Sequence, residues 1–253
     1  MADRNPPNQS TVKSAMRTID ILEYVVASSG GAVALDIAAA LSIPISSLSY
    51  LLGTLVERDY LRREGRRYYP GPGLERLRTG PHSMTLADRV RPLVRTLRIQ
   101  LNETASFFVQ SDWELVALVT ETAEQTLRYS ISVGSKTPLF CVAAGKALLA
   151  ELGEEELDRY FAETELTPFT PNSILDEKRL RRELDKIRKA GYAVTNEEYT
   201  LGICGVGKAV IVDGRPVGAF GIAVPNPRFD ERMERHASDL LSKTAALLEA
   251  GEG

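Results

Sequence analysis

Histidine, cysteine and tryptophan are scarce in this chain: two, two and one among 253 residues. Two cysteines, Cys141 and Cys204, make no disulfide framework, so a reducing cytoplasm is the expected setting. The histidines, His82 and His236, lack the spacing of a metal site, and no metal or cofactor is expected. No apolar run approaches the ~20 residues that a membrane-spanning helix needs, so no membrane partner is expected. The opening stretch, Met1 to Ser10, is polar and proline-bearing, which suits a disordered arm and not a signal peptide. A net charge of −3 argues against affinity for nucleic acid over the whole surface.

What is present is ordinary in amount but uneven in place. The chain is 43% hydrophobic and 26% charged, and long enough for two compact domains. Residues 1–80 hold ten Lys/Arg against eight Asp/Glu, whereas residues 81–253 hold 21 against 26. A slightly basic end on an acidic body fits DNA binding confined to one module.

That module has a recognisable order. Val12, Ala15, Met16, Ile19, Leu22, Val25 and Val26 recur at helical spacing, with Ser10 and Thr11 available as caps and Ser28 to Gly31 as a stop. A second helix is expected over about Leu35–Leu41 and a third over about Pro44–Arg58, with Pro44 in its first turn. Leu48, Leu51, Leu52, Leu55 and Val56 form the third helix's core face, which leaves Ser46, Ser47, Ser49 and Tyr50 for DNA base edges. A hairpin follows, turning at Glu64-Gly65, with Arg62, Arg63, Arg66 and Arg67 on its arms. Helix, turn, helix and two-stranded wing is the order of a winged helix-turn-helix. Arg62, Arg66 and Arg67 are the candidate phosphate contacts, against the plainer reading of a solvated charged hairpin.

Leu35-Asp36-Ile37-Ala38, Ile43-Pro44, Leu51-Leu52-Gly53-Thr54-Leu55 and Asp59-Tyr60-Leu61 resemble the reader head of the isocitrate-lyase-regulator (IclR) family of bacterial transcription factors. Members usually carry a basic residue after the proline and an arginine before the Leu-Leu pair. Here those places hold Ile45 and Tyr50, so this helix offers no bidentate arginine–guanine contact. The resemblance implies an operator of double-stranded DNA bound by a homodimer or dimer of dimers, with the first helix contributing to the pairing.

Residues 73–83 read as a connector with a short helical piece, and a helix over about Leu86–Leu101 contains Pro92, which implies a kink or a later start. Strands are expected near Ala105–Gln110, Glu114–Glu121, Leu127–Val133, Tyr192–Asn196, Gly205–Val212 and Pro216–Val224. Helices are expected from about Cys141 and over Glu154–Glu163, Asp176–Ala190 and Asp230–Leu248. The fold class is therefore α+β. The expected domains are an arm (1–11), a winged helix-turn-helix (12–72), a linker and connecting helix (73–102) and an α+β body (103–253).

Gly134 to Leu139, Gly145 to Ala150, Glu197-Glu198 with Gly202, and Gly218 to Pro225 resemble the markers of the IclR effector-binding domain, which is GAF-like. The resemblance implies a small-molecule effector lined by Tyr129, Thr137, Ala143, Ala144, Thr195, Ile203, Gly205, Gly221 and Ala223. Relatives that bind small polar acids use an Asp, a Cys and serines where this chain has Thr195, Gly205, Gly221 and Ala223. The resemblance therefore implies a roomier, less polar pocket and an aromatic or bulkier acid. The plainer reading of these small residues is close helix–sheet packing.

Gly202 to Gly207 lacks the lysine and context of a phosphate loop and reads as entry to a strand. Glu197-Glu198 reads as a solvated loop edge or an interdomain ion pair in preference to an acid/base pair. Both cysteines read as small apolar residues, with no local partner for a nucleophile. A ligand-responsive DNA-binding regulator without enzyme activity is the leading expectation. An enzyme using the C-terminal pocket and a ligand-free DNA-binding scaffold are the alternatives.

Overall fold

A computed structural model describes residues 12–28, 30–78 and 85–250. The expected arm, the caps Ser10 and Thr11, and His82 lie outside the described residues. The chain divides into two compact units, residues 1–84 and 85–253.

The first unit runs α1 (Lys13–Ala27), β1 (Ala32–Val33), α2 (Ala34–Leu41), α3 (Ile45–Glu57), β2 (Leu61–Glu64), β3 (Arg67–Pro70) and α4 (Pro72–Arg78). The strands form an antiparallel sheet in the order β1-β3-β2. Its core gathers Ile21 and Val25 of α1, Ile37 of α2, Leu48, Leu52 and Leu55 of α3, and Leu61 and Tyr68 of the wing. Each such side chain is worth roughly 1.5–3 kcal/mol when fully buried. Ser42 stops α2 in a left-handed conformation, and its N–H and that of Ile43 both donate to Ala38 O. The turn drops Ile43 into the core and sets α3 at its angle.

Several local expectations are corrected here. Val12 is the N-cap of α1, and no side chain among the described residues caps it. Val12, Met16, Ile19 and Val26 lie outside the core, each about half exposed or more, because the helix turns Ile21 and Val25 inward. Pro44 sits at the N-cap of α3, one residue before the helix, where its carbonyl accepts from the Leu48 N–H. The wing turns at Gly65-Arg66, since Glu64 pairs with Arg67; Gly65 takes φ +60° at the first loop position.

The second unit runs α5 (Leu86–Leu101), β4 (Thr104–Ser111), β5 (Glu114–Glu121), β6 (Lys136–Pro138), α6 (Ala143–Glu151), α7 (Glu154–Glu163), α8 (Glu177–Ala190), β7 (Ala193–Asn196), β8 (Ile203–Val212), β9 (Arg215–Pro225) and α9 (Glu231–Ala250). All six strands are antiparallel, in the order β6-β5-β4-β9-β8-β7. The alternation of β4 splits its two phenylalanines. Phe107 packs with α5 and α9 on one face, and Phe108 packs with α6, α7 and α8 on the other. The β8–β9 hairpin turns at Asp213-Gly214, both with positive φ, as its sequence indicates.

Thr85 caps α5, accepting from the Asp88 N–H, so the helix starts at Leu86 and carries Pro92 inside it. The expected strand over Leu127–Val133 does not form. The edge of β5 is already paired with β6 at Glu114–Val116, and Ala117 exchanges bonds with Ser135 and Gly134. The intervening stretch loops out instead.

Candidate functional sites

In the first unit, α3 presents Ser46, Ser49 and Tyr50 to solvent, with Ser47 half-buried; Tyr50 is 81% exposed. The Ser49 hydroxyl donates to Ile45 O, which leaves only its lone pairs for a partner. The wing arginines separate into different roles. Arg62 pairs with Glu64 at 2.7 Å and lies over the Tyr69 ring. Arg67 Nη1 donates to Gly30 O (3.2 Å) and Gly31 O (2.9 Å), fastening the wing to the turn after α1. Arg66, at the tip, has no hydrogen bond or ion pair among the described residues. Sequence spacing placed these arginines on the hairpin but carried no signal of which one the fold had engaged.

In the second unit a cleft of about 480 Å³, its open mouth included, lies between the sheet and α6. Eight of the nine expected residues line it: Tyr129, Ala143, Ala144, Thr195, Ile203, Gly205, Gly221 and Ala223. Thr137 is not in the lining; it sits on β6 opposite Leu115, with Oγ1 buried and unpartnered. Sequence reasoning passed over Phe108, Ile131, Tyr199 and both cysteines, which also line the cleft. Strand alternation could have found Phe108. The loop residues carry no periodic signal.

The glycines set the distance between sheet and helix. A Cβ on Gly207 would run into the Ala143–Ala144 backbone, and one on Gly205 would stand 2.7 Å from Thr195 Oγ1. Close packing and cleft lining are therefore done by the same residues. The segment Gly202 to Gly207 is largely β8, paired on both sides, and forms no phosphate loop.

No charged side chain lines the cleft. Its polar groups include the Tyr129 hydroxyl, bonded to Thr200 Oγ1 at 3.1 Å, Thr195 Oγ1 and Tyr199, whereas the Cys204 thiol turns away to Asn196 and Asn226. The start of α6 faces it with Val142 at the N-cap, which has no side-chain acceptor. Burial pushes the Cys141 thiol up to about 12, with Glu198 adding to the rise and Lys146 opposing it. Burial also raises Cys204. Both stay protonated thiols, poor nucleophiles at neutral pH. His236 lies exposed on α9, which packs on the opposite face of the sheet. Among the described residues no group of three His, Cys, Asp or Glu could hold a metal ion.

Glu197-Glu198 is neither a solvated edge nor an interdomain pair. Glu198 is buried and bonds Lys146 of α6 within the same unit, while Glu197 accepts from the Gly202 N–H at 2.8 Å and from Asn226 Nδ2. The reason lies in α6, which is buried on all sides and leaves the Lys146 ammonium no route to water.

A winged head and an α+β body of this topology, in this order, can now be set beside known proteins. The model of the IclR helix-turn-helix domain matches residues 14–65, and that of the bacterial transcriptional regulator IclR C-terminal domain matches residues 80–249. The chain belongs to the IclR family. It is a DNA-binding transcription regulator with an effector-binding C-terminal domain. The transcriptional repressor AllR of Escherichia coli K12 is 30% identical over 244 residues, 95% of this chain and 90% of that protein. The solved structure of Thermotoga maritima IclR superposes with a TM-score of 0.65 at 29% identity, covering 95% of this chain and 99% of that one. An IclR homologue from Microbacterium hydrocarbonoxydans, solved with 4-hydroxybenzoate, shares the fold with a TM-score of 0.59 at 20% identity, covering 94% and 98%. Among the described residues no single helix is long and apolar enough to cross a membrane.

Proposed function

We propose that this family member reads an operator through α3 and the Arg66 tip of the wing, and that its body senses an aromatic or otherwise weakly polar monocarboxylate. The observation that carries the second half is the lining of the cleft. Phe108, Tyr129, Ile131 and Tyr199 supply apolar and aromatic walls, and no charged side chain enters. The only fixed positive end is the α6 N-terminus, which suits one carboxylate. A dicarboxylate would leave its second charge unpaired and desolvated. Tyr129, Thr195 and Thr200 could meet a ring hydroxyl.

The DNA-bound form is a dimer or dimer of dimers in this reading, matched to a partly palindromic site. The unburied Val12, Met16, Ile19 and Val26 of α1 support pairing, since a lone head would leave that stripe in water. The work would be done in the cytoplasm, without a cofactor.

Two measurements on the purified protein test the reading. Its own upstream DNA should give a salt-sensitive, sequence-specific mobility shift. Thermal unfolding with 4-hydroxybenzoate should show stabilisation, about 2.7 kcal/mol at a hundredfold excess over Kd. Succinate should give none. Stabilisation by succinate alone would overturn the ligand class, and absence of any specific shift would overturn the operator reading.

A further inference from the structure

Residues 122–135, between β5 and β6, bring Tyr129 and Ile131 to the cleft while leaving Leu127 and Val133 in solvent. Little apolar burial holds this segment. Its fastenings are polar, and most of them end at one place, the last turn of α5 and the three residues after it. Thr104 Oγ1 donates to Tyr129 O at 2.6 Å and accepts from the Ala123 N–H. Gln125 Nε2 donates to Asn102 O at 2.8 Å, and Arg98 pairs with Glu124 at 2.9 Å. Arg228, from the turn after β9, grips Glu103 with two N–H groups at 2.5 and 2.8 Å and donates to Leu127 O at 3.0 Å. The Glu103 side chain is 1% exposed. On the cleft side, the Tyr129 hydroxyl bonds Thr200 of the opposite wall.

We infer that residues 122–135 form a strap over the cleft, and that Arg228–Glu103 is the pin through which the strap's position is read at the C-terminal end of α5. The inference rests on the reading of the cleft as the effector site. A ligand that takes the Tyr129 hydroxyl or displaces Ile131 moves the carbonyls of Leu127 and Tyr129. Those carbonyls are bonded to Arg228 and Thr104, so Glu103, held by Arg228, and Thr104 must move or lose partners. A bidentate guanidinium–carboxylate pair is stiff and directional, which makes it a better transmitter than a lone lysine contact. α5 is the first element of the second unit, which begins at Thr85. Arg228 is thus a positioning residue: it lines no part of the cleft. Coupling of this kind works only if the ligand prefers one position of the strap.

Hydrogen exchange on the full-length protein tests the pin without any ligand. In Arg228→Gln the amides of residues 122–135 and those of 98–103 should exchange faster together, by about tenfold or more, as loss of a charge-assisted bond predicts. Arg228→Lys should fall between, since it keeps the charge but not the fork. Gln125→Ala gives a milder version should Arg228→Gln fold poorly. Faster exchange in the strap with 98–103 unchanged, or no change in either, would overturn the inference.

A second arm reads function. Wild-type operator affinity should change about fivefold or more with 4-hydroxybenzoate, and in Arg228→Gln that change should shrink below about twofold while calorimetric binding of the compound persists. Full coupling in Arg228→Gln overturns the pin. No heat of binding in the wild type overturns the cleft reading instead, and the exchange data still decide the pin.

Discussion

Lys146 Nζ lies 2.7 Å from Glu198 Oε1, with Lys146 fully buried and the Glu198 side chain 9% exposed. The pair joins the middle of α6 to the loop after β7, whose Tyr199 and Thr200 line the cleft. Burial pushes the Glu198 carboxyl up, and the Lys146 ammonium draws it partly back. Lys146→Met strands a buried carboxylate and should cost about 3–5 kcal/mol. Urea unfolding measures it. Lys146→Met with Glu198→Leu should recover much of the loss, and a double variant as unstable as the single one would show the pair is not the cause.

Arg66 and Arg67 are neighbours with different expected effects. Arg66→Ala should leave thermal stability unchanged and reduce the salt dependence of operator binding by roughly one phosphate's worth per head. Arg67→Ala should cost about 1 kcal/mol through loss of its bonds to Gly30 O and Gly31 O. Melting curves beside binding titrations at several salt concentrations separate the two.

Tyr50→Ala should relax sequence preference more than it weakens binding overall, because the ring stands clear of the core on the exposed face of α3. Competition between operator and scrambled DNA measures it. Equal loss on both would reassign Tyr50 to the backbone.

Gly207→Ala should destabilise the body by about 1–3 kcal/mol, since the new methyl meets the Ala143–Ala144 backbone and not a movable side chain. Gly221→Ala should be milder, its nearest neighbours being the Phe108 ring at 3.0 Å and Ala144 Cβ at 3.3 Å. It should still lower ligand affinity by narrowing the cleft.

Cys141 should impose a pH dependence at the alkaline end. Burial keeps its thiol protonated to about 12 in the folded protein, whereas an ordinary thiol loses its proton near 9.0. Its contribution is therefore complete below pH 9 and is lost as pH rises from 9 towards 12. Melting temperature should fall more steeply over that range in the wild type than in Cys141→Ala.

Much of the architecture was written in short-range pattern. Leu48, Leu52 and Leu55 at helical spacing, the break around Ser42 and the alternation of β8 and β9 specify their elements locally, because period and turn chemistry depend only on neighbours in sequence. Eight of the nine residues that the family resemblance nominated likewise line one cleft.

Tertiary structure decided the rest. Leu127–Val133 alternates like a strand, yet the β5 edge was taken by β6. The apolar positions of α1 exceed what the head can bury, so packing chose Ile21 and Val25 and left Met16 and Ile19 outside. Glu198 reads in the sequence as a solvated loop edge or an interdomain ion pair and Lys146 only as part of a family motif, and the closure of α6 against the sheet made them partners. Periodicity is a local property, but burial and pairing depend on which surfaces meet, and residues 52 positions apart meet only once the chain has folded.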